Sequence, residues 1–189
     1  MGTPFRQRNA SRAFTLIELM VVVTIIGVLA VLAVVGFRAM IRAARTSEAT
    51  EMVNAIKVAQ ETFHAETGQY ANVSKDLNKG SLYPLATPNS SPMVKTVWGA
   101  ACTQCTDSKA WKKLPVHATG AMYFGYATVA GAAGAAMPTA TDTVYQMGAG
   151  LTSDWFVARG MLDQNSNGIW CSVFASSWTN QVYVENDGE

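Results

Sequence analysis

Residues 14–37 read FTLIELMVVVTIIGVLAVLAVVGF, and Glu18 is the single charge among them. A helix rises about 1.5 Å per residue, so a run of about 24 residues is long enough to cross a hydrocarbon core of about 30 Å. Arg6, Arg8 and Arg12 stand before the run with no acid beside them, and Arg38, Arg42 and Arg45 follow it. A basic flank ahead of a span keeps the N-terminus in the cytoplasm and sends the following chain outward. The run is too long for the apolar region of a secretory signal, and arginines, not small residues, come after it. By hydropathy alone the stretch is a single-span membrane anchor.

Glu18 does not fit a plain anchor. It lies about 6 Å beyond Phe14 along a helix. A carboxylate at that depth is costly unless it reaches the interface, takes up a proton or meets a cation. The nearest cation would be a new amino terminus created at Phe14.

The stretch RAFTLIELMVVVTIIGVLAVLA, residues 12–33, resembles the N-terminal signature of type IV prepilins and of the pseudopilins of type II secretion. The resemblance implies a short basic leader, removed by a prepilin peptidase that also methylates the new N-terminus. Carried over by position, the cut falls between Ala13 and Phe14, Phe14 is the methylated residue, and Glu18 is the fifth mature residue, which serves assembly. Two positions depart from the family pattern. Ala13 stands where Gly is usual before the cut, and a small residue still fits there. Val34-Val35-Gly36 stands where the family often has Pro, so a weaker or differently placed bend is expected.

After the span, the pattern from Arg38 to Thr67 continues as an amphipathic helix. Met52, Ile56, Ala59 and Phe63 recur at helical spacing, while Glu48, Glu51, Lys57 and Glu61 fall largely elsewhere. No Pro occurs between Phe14 and Gly68, and Gly68 is a helix stop. The Met and Phe stripe reads as core, not as a cofactor site. From Gln69 to Gly120 the chain reads as a connecting region of loops and turns, with Leu77, Leu82, Tyr83, Leu85 and Trp98 available to pin it. Strand signals lie at Ala121–Val129, Thr143–Met147, Trp155–Met161, Ile169–Phe174 and Gln181–Val184. Ala130–Ala140 is rich in small residues and reads as a hairpin tip or a close-packed surface. The expected class is α+β: a long N-terminal helix packed on a C-terminal antiparallel sheet of about four strands. The expected divisions are a leader at 1–13, a transmembrane and assembly helix at 14–37, its amphipathic continuation at 38–67 and a globular domain at 68–189.

Fourteen Lys and Arg stand against 13 Asp and Glu. Without the three leader arginines the balance is 11 against 13, with no basic run, so a nucleic-acid-binding surface has no electrostatic footprint. The cysteines are Cys102, Cys105 and Cys171. In an exported domain a structural disulfide is preferred over a redox pair, which lacks a βαβ context, and over zinc, for which His64 and His117 show no ligand spacing. Which pair forms is left open. DQNSNG, residues 163–168, matches the start of a calcium loop, with Asp163, Asn165 and Asn167 as candidate ligands. The twelfth position is Phe174 where such a loop needs a bidentate acid, so a hairpin turn is the preferred reading.

No serine motif, phosphate loop or paired carboxylate suggests an enzyme, and no cofactor is implied. The resemblance implies a filament subunit for adhesion, twitching motility or DNA uptake. The alternatives are a type II secretion pseudopilin, or a membrane-anchored domain that does not polymerise. Its partners would be copies of itself or other pilins, the prepilin peptidase and the assembly machinery of the inner membrane. It would be a single-pass inner-membrane protein first, then part of a surface pilus or periplasmic pseudopilus.

Overall fold

An unbroken run of helix-compatible residues ended by a glycine gives one long helix, α1 (Leu16–Thr67). Gly68 closes it with a positive φ of 76°, and its N–H donates to His64 O at 2.8 Å. This computed structural model describes residues 14–88, 94–99, 105, 109–148 and 151–188. The chain divides at Ala39/Met40 into two compact units.

In the first unit the apolar residues of α1 are exposed on every side. An 18-residue window there has a mean hydropathy of 3.0 and nothing in it is buried. By length and composition this helix can cross a membrane.

In the second unit α1 buries Ala49, Met52, Val53, Ile56 and Ala59, with Phe63 packed at the margin. Glu51 and Glu61 are exposed, whereas Glu48 and Lys57 are half-buried and hold neighbouring backbone. The Glu48 carboxylate accepts from Tyr123 N at 3.1 Å, and Lys57 Nζ donates to Thr179 O at 2.8 Å.

The buried stripe packs on a four-stranded antiparallel sheet of β3 (Gly125–Gly131), β4 (Trp155–Leu162), β5 (Cys171–Ser176) and β6 (Thr179–Glu185), in that spatial order. A two-stranded ribbon of β1 (Thr96–Val97) and β2 (Ala121–Met122) and a 3-10 turn (Ala110–Lys113) lie within the connecting region. The architecture is α+β. Alternation along the strands separates two clusters. Tyr126, Ala158, Leu162, Cys171, Val173 and Ala175 face the helix. Ala127, Val129, Trp155, Val157, Met161 and Phe174 face outward, under Leu77, Leu82 and the loop bearing Met137, Tyr145 and Met147. With both faces covered, all eight residues of β4 are buried. Gly160 makes the helix side possible: a Cβ there would lie 3.1 Å from the Tyr126 ring and 3.3 Å from Val53.

The connecting region also covers one sheet edge. Ser74 N donates to Thr128 O at 2.8 Å, and Tyr83 exchanges two backbone bonds with Tyr126 at 2.8 and 2.7 Å. Tyr83 anchors an aromatic cluster with Trp98 and Trp111, whose ring centroids lie 5.0 and 5.9 Å away. Leu77 and Leu82 are fully buried pins, while Leu85 and Trp98 are half-buried.

Several expectations are corrected. Thr143–Met147 is not a strand. The Glu185 carboxylate accepts from Val144 N at 2.9 Å and from the Thr143 hydroxyl, and Tyr145 stacks on Phe174 at 4.5 Å, so side chains take the role of a neighbouring strand. The single strand expected at Ala121–Val129 is split at Tyr123–Phe124 into β2 and β3, which belong to different sheets. β5 starts at Cys171, two residues later than expected, because residues 163–170 are taken up by a turn. Within 130–140, Ala132–Ala136 is an exposed turn, and Met137 and Ala140 pack on the outer cluster.

Candidate assembly site

The start of α1 is built by two residues. Thr15 precedes the first helical residue, and Glu18 is the third residue of the helix. Thr15 N and Thr15 Oγ1 both donate to Glu18 Oε2, at 2.9 and 2.8 Å, and Glu18 N donates back to Thr15 Oγ1 at 3.3 Å. This reciprocal arrangement is a capping box, and it satisfies backbone donors that the first turn leaves orphaned. The negative side chain also suits the positive end of the helix dipole. Phe14, directly ahead of the cap, is 80% exposed.

Around this cap the helix surface is apolar. Leu16, Ile17, Leu19, Val22 and Ile26 are all exposed, so none of the described residues covers them. A surface of that extent needs lipid or other helices around it. Glu18 is the polar group placed at its leading end. Ala13 and the leader residues Arg6, Arg8 and Arg12 lie outside the described residues.

The remaining sequence candidates sit in the second unit. Cys171 is a free, fully buried thiol, and Thr46 Oγ1 lies 3.8 Å from its sulfur. Burial pushes that thiol above its ordinary range. Cys105 is also buried, with its sulfur 3.5 Å from Pro84 O, and Cys102 lies outside the described residues. Asp163 organises the turn between β4 and β5. Its Oδ1 accepts from Ser166 N at 2.7 Å and Asn165 N at 3.3 Å, and its Oδ2 accepts from Gly168 N at 3.0 Å. Asn165 and Asn167 direct their side-chain oxygens to Asn167 N and Ile169 N, at 3.0 and 2.7 Å. These are Asx-type turn bonds. Among the described residues no group of three or more His, Cys, Asp or Glu is placed to hold a metal. His64 stacks on Tyr70 with ring centroids 4.3 Å apart, and His117 is exposed.

Three residues with consequential positions were not singled out from sequence. Thr15 was legible, because Thr15-Leu16-Ile17-Glu18 spells the S/T-x-x-E pattern ahead of an apolar run. Gln60 is fully buried and joins α1 to Ala71 and Thr128. Arg159 is fully buried in β4 and donates to Leu77 O, Thr141 O, Asp142 O and Ser172 Oγ. A Gln on a helix and an Arg in a strand carry no local sign of such partners.

Compared with known proteins, the chain matches the family model described as the prokaryotic N-terminal methylation motif, over residues 8–34. That motif is the signature of type IV pilins and pseudopilins, and it implies processing by a prepilin peptidase. No curated protein and no solved structure matches the chain.

Proposed function

We propose that this chain is a type IV pilin-like filament subunit, made as a membrane-anchored precursor and cut between Ala13 and Phe14. Residues 1–13 are then the leader, 14–37 the assembly helix, 38–67 its continuation into the globular domain, and 68–189 the remainder of that domain. The observation that carries the reading is the conjunction of the methylation motif with a fully exposed apolar helix whose first turn holds one carboxylate.

Cleavage would place an amine, methylated on Phe14, next to the capping box. In a bundle of apolar helices an unpaired carboxylate is expensive and a pair with a cation is favoured over isolation. Both Thr15 donors converge on Oε2, so Oε1 is the oxygen that receives a neighbouring amine. The pair sets the axial register of an entering subunit, and Leu16, Ile17, Leu19, Val22 and Ile26 supply the packing. The domain is stabilised after export by one disulfide. Cys102, Cys105 and Cys171 are the candidates, and the free, buried Cys171 supports a pairing of Cys102 with Cys105.

The test is electron microscopy of sheared surface filaments with intact-mass analysis of their subunits. The mass expected is that of a chain starting at methylated Phe14, less two hydrogens for the disulfide. Glu18→Val, expressed beside wild type at equal membrane levels, is expected to insert and be cleaved but to enter filaments at under about a tenth of the wild-type level. Glu18→Asp retains partial incorporation. Normal incorporation of the valine variant, or a mature chain retaining Arg12, refutes the assembly reading. Recovery only from a periplasmic assembly moves the chain to the pseudopilin alternative.

A further inference from the structure

On the face of the sheet turned away from α1, the loop at Val144–Gln146 and the β5–β6 hairpin enclose a groove of about 400 Å³. Its lining includes Tyr145, Gln146, Trp178, Thr179, Gln181 and Tyr183. We propose that this groove binds a neutral carbohydrate, with the aromatic rings as a platform and the glutamine amides as hydroxyl readers.

The rings are held before any ligand arrives. Tyr145 stacks on the buried Phe174 at 4.5 Å with an interplanar angle of 9°, and its hydroxyl donates to Ser176 Oγ at 3.2 Å. Tyr183 leans on Tyr145 at 5.4 Å and is 40% exposed. The Trp178 ring packs so closely on Gly148 that a Cβ there would lie 3.2 Å from it. Rings fixed in this way lose little freedom on binding. The face of an aromatic ring is negative and meets the weakly positive C–H groups on one side of a pyranose.

The polar groups point to the same chemistry. A glutamine amide carries two donors and a two-lone-pair acceptor, the complement to hydroxyls that both give and take hydrogen bonds; one Gln146 donor rests on Val144 O at 3.5 Å, which leaves its second donor and its oxygen. Gln146 and Gln181 are exposed, so their amides are within reach of solvent and ligand. None of the lining side chains is charged. The nearby Glu185 carboxylate is occupied by Thr143 and Val144 N. Lys57 Nζ, beside the groove, is committed to Thr179 O at 2.8 Å, so an ionic ligand finds no free counter-charge among the lining side chains, and the volume lies within the range of small-molecule sites, about 300–1,000 Å³. The proposal rests on the filament reading only for where the groove is displayed, since the groove itself belongs to the sheet.

The test is saturation-transfer NMR on the full chain in a sugar-free detergent such as lauryldimethylamine oxide. The probes are maltose, lactose, cellobiose and N,N′-diacetylchitobiose, with 3′-sialyllactose as the anionic comparison. At least one neutral disaccharide is expected to receive saturation at its ring C–H protons, and its sialylated counterpart to bind no more tightly. Tyr183→Ala should weaken binding about tenfold, Gln181→Ala about threefold, and Tyr183→Phe should leave the platform in place. Both positions are exposed, and Gln181→Ala tests the groove without touching the ring cluster. No transfer to any of the four neutral probes overturns the proposal. So does transfer that is unchanged in both Tyr183→Ala and Gln181→Ala, or binding confined to the anionic sugar. None of these results touches the filament reading, which stands or falls on Glu18 and filament incorporation.

Discussion

Arg159→Met separates two roles that a buried cation can play. The guanidinium is fully buried in β4. Its Nη1 donates to Leu77 O and Thr141 O, both at 3.0 Å, and its Nη2 to Asp142 O at 3.2 Å and Ser172 Oγ at 2.9 Å. Removing it strands Leu77 O and Ser172 Oγ, which belong to fully buried residues, whereas Thr141 and Asp142 are exposed and can rehydrate. Two stranded groups cost about 2–6 kcal/mol. Against this, burial lowers the Arg159 pKa to about 10, with Glu185 and Asp142 opposing the shift. That lowering corresponds to roughly 3 kcal/mol held against the charged form, which a thioether does not incur. The net cost of Arg159→Met is then about 1 kcal/mol, measured as a small drop in the urea midpoint. Arg159→Ala adds a cavity and should cost about 2–5 kcal/mol more. The tether on the loop at Thr141–Asp142 is lost in both variants, so amide exchange or proteolytic cleavage at 141–147 should rise by about tenfold or more. If Arg159→Met destabilises as much as Arg159→Ala, the cation itself is the main stabiliser and the reasoning fails. If loop exchange is unchanged, the tether assigned to Arg159 does not exist.

Gln60→Ala removes three buried bonds, to Ala71 O at 2.8 Å, from Ala71 N at 2.9 Å and to Thr128 Oγ1 at 3.0 Å. A loss of about 3 kcal/mol in denaturant unfolding is expected, and a loss below about 1 kcal/mol would show that water replaces the amide. Burial, reinforced by Glu48, holds the Tyr126 phenol well above its ordinary value, and Tyr70 is raised to about 12 by burial and by Glu61. Their folded pKa values lie above the unfolded ones, so the associated stability is complete below about pH 10 and is lost as pH rises further. Because the Tyr126 hydroxyl has no hydrogen-bond partner among the described residues, Tyr126→Phe should change stability at pH 7 by less than about 1 kcal/mol and move the alkaline unfolding midpoint upward. An unmoved midpoint would assign alkaline unfolding to other groups.

The parts of the fold written in local pattern were legible. Hydropathy marks the exposed half of α1, helical spacing marks Met52, Ile56 and Ala59, and Gly68 ends the helix. Aromatic and β-branched runs mark the strands to within about two residues. What escaped was decided at a distance. Thr143–Met147 has strand-like residues, but a carboxylate from β6 and the ring of Phe174 satisfy it. Ser74 and Tyr83 read as loop, yet they line the edge of β3. Asp163 starts a calcium-like pattern that Phe174 at its twelfth position turns toward a hairpin reading, and the three backbone amides it accepts from are visible only in three dimensions. At the start of α1 the motif and Glu18 were plain from sequence, while the capping role of Thr15 was present as a pattern and became evident through its distances.

The sheet's spatial order, β3-β4-β5-β6, is also its order along the chain, and this bears on how the protein forms during synthesis. β5 and β6 each close on the strand just made, across residues 163–170 and across Ser177-Trp178, while β4 reaches β3 over the longer connection 132–154. Short closures are entropically cheap and fast. The slow step is the remote one, docking the finished sheet on a helix that emerged long before it, through contacts such as Gln60 to Thr128, 68 residues apart. Until then the stripe of Met52, Val53 and Ile56 has no cover. A nascent chain paused between the helix and β3 is therefore the species most prone to mispairing with other chains, and translation speed through residues 68–125 should govern the yield of folded protein.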